Sequence, residues 1–434
     1  MFYFLTALAI ILFSRILSGS WRKTFVLPWV LLTTPVLIGA GLANLELIPF
    51  LIAPWSARTH SVVILGTAAL GLSSLTLKDI RRPLRAASQT VAWNETSLLR
   101  ILLFVTCIAI AANALQFWIG GAIPLFSDNP DQARIEVGKN GYLHIFSVLP
   151  GHLIPITAFI LMTGKGLKKS TKHFLIGIIV VCFLLLSLWI ARGLLLYPFL
   201  AAIALSYLLD DTFFRLKNVL LIVAILLLIV SGIKYLRGVI QYGESFEQIQ
   251  KELITIETEN PLIGPSVTLY LTFALNYEIL NQYVDTVPAL APHTDGRLVA
   301  NHLLSFVPGH GAPFTELDYQ NEILQKQDQD LTLTSTCFGI PYLDFGTIGV
   351  FISSILVGLL YRTVWIRMLR NGTPLSIFFY GYLISMVAFL PFTFIYSQVS
   401  FIWFIATSLP IVFLCMCRIK GFSLFYVKSR IVFY

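Results

Sequence analysis

Long apolar runs separated by short polar segments form the dominant pattern of this chain. A helix that crosses a lipid bilayer needs about 20 mostly apolar residues. On that basis the pattern predicts eleven membrane-spanning helices, which are Phe2–Leu17, Thr24–Ala43, Ser61–Leu77, Leu98–Trp118, Leu143–Thr163, Phe174–Ala191, Leu194–Leu209, Val219–Ile233, Tyr342–Ile366, Ser376–Tyr396 and Ser400–Cys417. The predicted fold class is therefore an all-α polytopic membrane protein.

Charged residues alternate in sign from one connection between spans to the next. Most of the 30 Lys and Arg residues lie in one set of connections and near the C-terminus, whereas most of the 22 Asp and Glu residues lie in the other set. Because basic loops stay in the cytoplasm, we expect a cytoplasmic C-terminus and an N-terminus on the opposite side. The chain is thus predicted to be a multi-pass protein of a bacterial inner membrane.

Two long acidic connections divide the predicted chain into three regions. Residues 1–233 hold spans one to eight, with a short outer loop at 120–142. Residues 234–341 form a large outer loop that contains short helices, and residues 342–434 hold the last three spans and the cytoplasmic C-terminus. Inside the large loop, the pattern predicts an amphipathic helix at Ser245–Glu259 and an interfacial or re-entrant helix at Pro261–Tyr283.

Composition indicates that lipid is the solvent for much of the surface. Hydrophobic residues make up 57% of the 434 residues and charged residues 12%, with a mean hydropathy of +0.80. A soluble globular protein carries about 25% charged residues, so this chain has too few charges to cover a water-facing exterior. The five cysteines have no disulfide or metal-ligand spacing, and sequence motifs for nucleotide and metal sites are absent. We expect no cofactor and no nucleic-acid partner.

Arg192 is the clearest candidate functional residue, because it lies at an outer turn between two apolar runs. A charged side chain at the bilayer centre costs about 2.5–3.5 kcal/mol on insertion scales. One interpretation is an arginine at a helix end whose guanidinium reaches the membrane surface. The other is an anion clamp, since a guanidinium forms bidentate hydrogen bonds to phosphate or carboxylate.

Other outer cations could share such an anion with Arg192. Each one alone is typical of a solvated surface charge, but together with Arg58 they are the cations available on a face that is otherwise acidic. They are Arg134 with the nearby Lys139 in the first outer loop, Arg237 after the eighth span, and Arg297 in the large loop.

Candidate proton acceptors also lie on the predicted outer side. A histidine that titrates near neutral pH is suited to removing a proton from a hydroxyl. His302 and His310 in the large loop are such candidates, beside His293, and Asp344 opens an apolar helix. The alternative role for Asp344 is a helix cap favoured by the helix dipole.

Three short motifs resemble one known family. Gly120–Ser127 followed by Ala133-Arg134 resembles the first outer loop of the bacterial Wzy-type O-antigen polymerases, which join oligosaccharide repeat units. Ala191-Arg192-Gly193 is similar to that family's Arg-Gly between paired helices. Tyr342–Gly349 resembles its entry to a late span, and the predicted eleven-span layout matches as well.

The resemblance implies an enzyme that joins undecaprenyl-pyrophosphate-linked oligosaccharide repeat units at the periplasmic face, by metal- and nucleotide-independent glycosyl transfer. Arg134, Arg192 and Arg237 would neutralise the leaving pyrophosphate, and His302, His310 or Asp344 would act as base. Substrate-binding roles then fall to Arg297, Lys139 and Tyr342. The expected partners are the lipid-linked oligosaccharide and the bilayer. The resemblance does not decide whether a chain-length regulator also binds.

Two alternative functions use the same outer arginines. A transporter or flippase of lipid-linked oligosaccharide would recognise the anion without chemistry, but transporters usually place charge near the bilayer midplane and often contain inverted repeats. Neither feature is evident in the pattern of this chain. An O-antigen ligase would perform related chemistry with a different acceptor.

Overall fold

The computed structural model describes residues 1–45, 47, 53–77, 80, 91, 93–138, 141–164, 166–209, 232, 263–304, 314–323, 334–397, 399–416, 418–419 and 431–432. Most of them are helical. In chain order the helices are α1 (Phe2–Ser18), α2 (Trp21–Thr24), α3 (Pro28–Ala43), α4 (Ala57–Ser73), α5 (Glu95–Gly120), α6 (Pro130–Gly138), α7 (Gly141–Ser147), α8 (Leu149–Thr163), α9 (Lys169–Leu188), α10 (Arg192–Leu209), α11 (Ile263–Thr286), α12 (Arg297–Leu304), α13 (Glu316–Ile323), α14 (Gly339–Asn371), α15 (Pro374–Val387) and α16 (Val399–Met416).

The prediction of an all-α fold needs one small correction. Two-residue strands β1 (Arg418–Ile419) and β2 (Ile431–Val432) pair in antiparallel fashion close to the C-terminus. Strands this short contribute little to the fold, and the architecture is that of a helical membrane protein.

Ten of the eleven predicted spans overlap a described helix, and Val219–Ile233 lies outside the described residues apart from Gly232. Within the described part, four helices are long and apolar enough to cross a membrane: Glu95–Gly120, Leu143–Thr163, Lys169–Leu188 and Gly339–Asn371. Shorter apolar helices are Phe2–Ser18, Pro28–Ala43, Gly193–Leu209, Pro374–Val387 and Phe401–Met416. The chain is therefore a multi-pass membrane protein, and the exact span count stays a prediction.

The predicted helix at Pro261–Tyr283 corresponds to α11, which has 24 residues. At 1.5 Å per residue it is about 36 Å long. It packs against α3, α4 and α14, and the Tyr277 hydroxyl donates a hydrogen bond to the Val36 carbonyl at 2.7 Å. Its interfacial or re-entrant character stays a prediction, and the predicted helix Ser245–Glu259 lies outside the described residues.

The chain divides into two compact units. Unit 1 comprises Met1–Leu84, Ile249–Asn371 and Met386–Ile402, and unit 2 comprises Arg85–Gln248, Gly372–Ser385 and Trp403–Tyr434. The three-region division expected from the sequence concerns the two sides of the membrane and stays a prediction.

Unit 1 is organised around the long helix α14, which packs along α4. Close packing of helices in lipid depends on small residues at the contact. A Cβ on Gly358 of α14 would lie 1.9 Å from the Ser73 hydroxyl oxygen and 2.9 Å from the Leu70 carbonyl oxygen of α4. Glycine at this position therefore allows the two helices to touch.

Unit 2 contains α8 packed against α9 and α10. Polar side chains inside it mostly bond to neighbouring helices or to the backbone, because lipid offers them no partners. The Trp93 indole N–H, for example, donates to the Thr163 hydroxyl at 3.1 Å. His152 lies fully buried between the rings of Tyr197 and Phe404.

Candidate functional site

The first candidate site surrounds the turn between α9 and α10 in unit 2, which we name the arginine turn (residues 189–192). Ile190 has φ 47°, a left-handed conformation that is strained for a β-branched residue. Trp189 and Ala191 on either side of it are buried. The surrounding packing therefore holds the backbone in this conformation, and strain of this kind is concentrated at functional sites.

The Trp189 side chain is hydrogen-bonded to Asn113 of α5, and Asn113 is hydrogen-bonded in turn to α7 of the same unit. The indole N–H donates to the Asn113 Oδ1 at 2.7 Å, and the Asn113 Nδ2 donates to the Ser147 carbonyl of α7 at 2.9 Å. The side chains of Trp189 and Asn113 are both 1% exposed. The arginine turn is thus attached to α5 and α7 by a buried polar network.

Helix α6, which carries Arg134, is held close to the end of α5. Gly121 ends α5 with φ 68°, the left-handed conformation that glycine adopts without a steric cost. A Cβ on Gly120 would lie 2.6 Å from the Val137 Cγ2 and 2.9 Å from the Val137 Cα, so a larger residue would push α6 away. The Gln116 Nε2 donates to the Val137 carbonyl at 3.0 Å.

One apolar cluster joins α6 to the arginine turn, and its buried members are Phe117, Val137, Trp189 and Ala191. Arg134 precedes Val137 by three residues and so lies on the same face of α6. Arg192 follows Ala191 directly. The structure therefore brings the backbone positions of Arg134 and Arg192 to the same cluster, and His144 beside Trp189 lies near enough to Arg134 to interact with its charge.

The electrostatics of this site favour an anion. Arg134 is partly buried, and burial lowers the pKa of its guanidinium because desolvation disfavours the charged form. An arginine stays protonated near neutral pH despite such a shift. Arg192, whose backbone is described but not its side chain, is the first residue of α10, where backbone N–H groups and the helix dipole favour negative charge.

The second candidate site lies in unit 1, at a break in helix α14 that we name the α14 kink (residues 342–346). Phe345 (φ −139°, ψ 17°) and Gly346 (φ 62°, ψ −151°) are non-helical. The conformation of Gly346 is available to essentially no other residue. A loop of residues 292–296 lies against the kink, and the Thr294 N–H donates to the Leu343 carbonyl at 3.0 Å.

Asp344 caps a helix other than its own. Its carboxylate accepts the backbone N–H groups of Leu298 and Val299, each at 3.0 Å, and the hydroxyl of Thr294. Leu298 and Val299 lie in the first turn of α12, where N–H groups have no intrahelical partner. Asp344 is fully buried. Its predicted role as base stays a prediction, whereas its contacts are those of a cap for α12.

Tyr342 and Arg297 take different positions around the kink. Tyr342 is fully buried, its hydroxyl donates to the Val287 carbonyl at 2.9 Å, and the exposed Arg58 guanidinium lies 6.0 Å from its ring centroid. Arg297 is exposed and lies 4.1 Å from the ring centroid of Phe314, a cation–π contact. Substrate binding by Tyr342 and Arg297 stays a prediction.

Comparison with known proteins identifies the family. The chain matches the model of a family described as "Putative O-antigen polymerase" over residues 2–390. It belongs to the O-antigen polymerase family. Membership implies a polymerising, glycosyltransferase-type activity in a membrane on a lipid-linked oligosaccharide, and it confirms the resemblance inferred from the loop motifs. No curated protein and no solved structure matches the chain.

Several residues predicted for the polymerase site could not be placed. Arg237, Lys139 and His310 lie outside the described residues, and His302 is described only as part of the backbone of α12. The roles predicted for them stay predictions. Among the residues that are described, no group of three or more His, Cys, Asp or Glu side chains could hold a metal ion.

Sequence reasoning missed the residues that support the polymerase's arginine turn. Asn113 and Gln116 are amides three residues apart in an otherwise apolar helix, so they share one face. Polar residues inside a spanning helix usually point to a partner in the protein interior, and that signal could have found them. Trp189 and His144 carry no such signal, because aromatic residues are common throughout this chain.

Proposed function

We propose that this chain joins undecaprenyl-pyrophosphate-linked oligosaccharide repeat units into a surface polysaccharide, at the periplasmic face of the bacterial inner membrane. The observation that supports this function most is the shared apolar cluster of α6 and the arginine turn. It places the partly buried Arg134 and the start of α10 at Arg192 in one small region. A diphosphate group carries the negative charge that two such cationic positions would bind.

The reaction forms one bond and breaks another. A hydroxyl of the incoming unit attacks the anomeric carbon of the growing chain and gives its proton to a base, for which His302, His310 and Asp344 are the predicted candidates. The bond from that carbon to the pyrophosphate oxygen breaks, and the electron pair stays on the pyrophosphate. Negative charge therefore grows on the leaving group. Cations held in place before the reaction stabilise that charge, and losing one such group typically costs about 10²–10³-fold in rate.

Arg134 is suited to this task because it is partly desolvated, and a charge in a low-dielectric site interacts more strongly than an exposed one. The N-terminal N–H groups of α10 would add to the stabilisation of a phosphate oxygen. Arg237 and Lys139 would contribute further positive charge. The transfer itself would need no metal ion and no nucleotide, since the pyrophosphate is already an activated leaving group.

The orientation of the chain in the membrane supports the same proposal. Alternation of basic and acidic connections predicts a cytoplasmic C-terminus, and it puts Arg134 and Arg192 on the periplasmic side. A lipid-linked substrate would reach the site laterally from the bilayer. A chain-length regulator would be a natural partner for an enzyme that adds units repeatedly.

The test uses purified protein in lipid vesicles with lipid-linked repeat units, and product length is read on a gel. We expect Arg134→Ala and Arg192→Ala each to lower the elongation rate about 10²–10³-fold. Lysine at either position should restore only part of the rate, because it supplies the positive charge but lacks the planar set of N–H donors of a guanidinium group. Arg100→Ala, at an exposed arginine of α5, is the matched control and should elongate normally.

Several outcomes would contradict the proposal. Elongation at the wild-type rate by Arg134→Ala would remove Arg134 from the reaction. A wild-type protein that moves the lipid-linked unit across vesicles without lengthening it would indicate a transporter. A wild-type protein that transfers polymer only when a lipid A acceptor is supplied would indicate a ligase.

A further inference from the structure

A half-buried histidine lies between α6 and the arginine turn, inside unit 2. The ring of His144 meets that of Trp189 edge to face, with the two centroids 5.1 Å apart. Its Nδ1 lies 3.5 Å from the Gln116 Nε2, the same nitrogen that donates to the Val137 carbonyl of α6 at 3.0 Å. The ring is therefore a neighbour both of the helix that carries Arg134 and of the turn that leads to α10.

The buried donors around this ring indicate which of its nitrogens carries the proton. An amide nitrogen can only donate, so the second N–H of the Gln116 side chain needs an acceptor, and the Nδ1 of His144 supplies it. The Ser147 hydroxyl, 3.3 Å from the same Nδ1, has its own acceptor in the His144 carbonyl at 2.9 Å. A proton on the Nδ1 would leave the Gln116 N–H buried and unpaired, which is costly in a protein interior. The neutral ring therefore carries its proton on the Nε2.

The Nε2 is the end of the His144 ring that is left to bind another molecule. Across the described part of the chain no polar group is bonded to it, whereas the Nδ1 has two polar neighbours. The side chain is half-buried, in contrast to that of His152, whose two ring nitrogens are both enclosed by the protein. The Nε2–H is thus a hydrogen-bond donor at the edge of the site, held in direction by contacts on the other side of the ring.

The surroundings of His144 suit a hydrogen bond to an anion. Arg134 is close enough for its charge to act on the ring, and α10 begins three residues after Trp189. His144 is also the second residue of the candidate span Leu143–Thr163, at the end that the alternation of charge predicts to be periplasmic. The diphosphate of a lipid-linked sugar lies at this depth, since it joins the lipid tail to the sugar.

We propose that the Nε2–H of His144 donates a hydrogen bond to an oxygen of the substrate diphosphate beside Arg134, an inference that rests on the proposed function. The contact transfers no proton, so the ring is neutral before and after the sugar leaves. It becomes stronger as negative charge grows on the leaving group, because hydrogen bonds to charged acceptors are stronger than those to neutral ones. Gln116 is then a positioning residue, since its amide keeps the proton of the ring on the Nε2.

The first experiment measures the binding of inorganic pyrophosphate to the purified protein by calorimetry. His144→Asn keeps a polar group near the Nδ1 position and loses the donor at the Nε2, whereas His144→Gln places an amide N–H near the Nε2 position. We expect the Kd to rise about tenfold or more in His144→Asn, as for the loss of a hydrogen bond to a charged group, and to stay within about threefold of the wild type in His144→Gln. His173→Asn, at an exposed histidine of α9, is the matched control and should bind like the wild type.

The second experiment measures the protonation of the ring by ¹⁵N NMR of protein labelled at histidine. The signals that are absent from His144→Asn belong to His144, and we expect the Nε2 to be the protonated nitrogen. Inorganic pyrophosphate should shift this Nε2 signal in the wild type and in His173→Asn. A ring protonated at the Nδ1, or an Nε2 signal that pyrophosphate leaves in place, would overturn the inference.

Elongation by the same variants links the contact to the reaction. In vesicles with lipid-linked repeat units, kcat/KM should fall about 10²–10³-fold in His144→Asn, the usual cost of losing one donor to a developing charge. His144→Gln should retain elongation within about tenfold of the wild type, since it keeps the donor. Thermal unfolding of each variant reports whether it is folded.

The outcomes separate this inference from the proposed function. An unchanged Kd in His144→Asn would show that His144 does not contact the diphosphate, and elongation by the wild type would still support the polymerase function. Equal losses of binding and elongation in His144→Asn and His144→Gln would also contradict the inference, because the ring would then act only by packing against Trp189. A wild type that binds pyrophosphate through His144 but does not elongate would contradict the proposed function and leave the diphosphate contact in place.

Discussion

The arginine turn and the α14 kink both interrupt helices, but they are held by different kinds of interaction. The arginine turn is fixed by side chains, through the Trp189 indole bonded to Asn113 and an apolar cluster that includes Val137. The α14 kink is fixed mainly through the backbone, because the N–H groups of the loop and of α12 bond to Leu343 and Asp344. Side-chain packing tolerates some rearrangement, whereas unpaired backbone groups in a dry site are costly.

The two kinds of contact predict different responses to substitution. A side chain removed from the apolar cluster leaves the other members packed, whereas a contact broken at the kink leaves a buried backbone N–H without an acceptor. The loss of stability should therefore be largest for substitutions at the kink.

Asp344→Ala should have the largest effect on stability. It leaves two backbone N–H groups of α12 and the Thr294 hydroxyl without their acceptor, and each buried unpaired donor costs about 1–3 kcal/mol. We expect a total loss of about 3 kcal/mol or more, measured as a lower Tm of the detergent-purified protein.

Asp318→Ala is the matched control for that measurement. Asp318 also accepts a backbone N–H at a helix start, from Thr315 at 2.7 Å, but it is exposed. Because water replaces an exposed cap, its loss should cost only about 1 kcal/mol. Equal Tm changes for the two variants would show that the buried cap of α12 is no stronger than a surface one, which would contradict the stabilising role of the backbone contacts at the kink.

Gly346→Ala should come next. The backbone angles of Gly346 are strained for any residue with a Cβ by about 1–3 kcal/mol, and the added methyl would lie 3.1 Å from the His293 ring. We expect a lower Tm, because the backbone is strained and the ring must shift. Gly177→Ala in α9 is the control, since that position has open space, and it should leave the Tm unchanged or raise it slightly. A Tm of Gly346→Ala equal to that of the wild type would contradict the requirement for glycine at the kink.

Much of the helical layout could be predicted from the sequence for a physical reason. In lipid every backbone N–H must bond within its own helix, so length and apolarity alone indicate a span. Local chemistry changed the boundaries that hydropathy suggested. The span predicted from Thr24 begins as a helix at Pro28, where proline is favoured in the first turn, and the span predicted to end at Tyr396 ends as a helix at Val387.

The sites were less predictable because their contacts join residues far apart in sequence. Charge pattern alone could suggest Arg134 and Arg192, but it could not show that Val137 and Ala191 pack together. The cap expected at Asp344 is present on α12 instead of α14, 46 residues upstream. Helix periodicity reveals neighbours that are three or four residues apart, and it carries no information on contacts between residues 46 positions apart in sequence.

The two adjacent glycines at the end of α5 provide the smallest and most specific test of the arginine turn. Gly121→Ala meets no neighbour within 4 Å and suffers only from its left-handed φ, which costs about 1 kcal/mol. Gly120→Ala has ordinary helical angles but would press on the backbone of Val137 and displace α6 with Arg134. We expect Gly120→Ala to slow elongation about tenfold, by moving a charged group that must be placed within about 1 Å, while Gly121→Ala lowers the Tm slightly and elongates normally. If Gly121→Ala slowed elongation more than Gly120→Ala, the placement of Arg134 against the apolar cluster could not be what the reaction depends on, and the role of the arginine turn would have to be assigned to Arg192 alone.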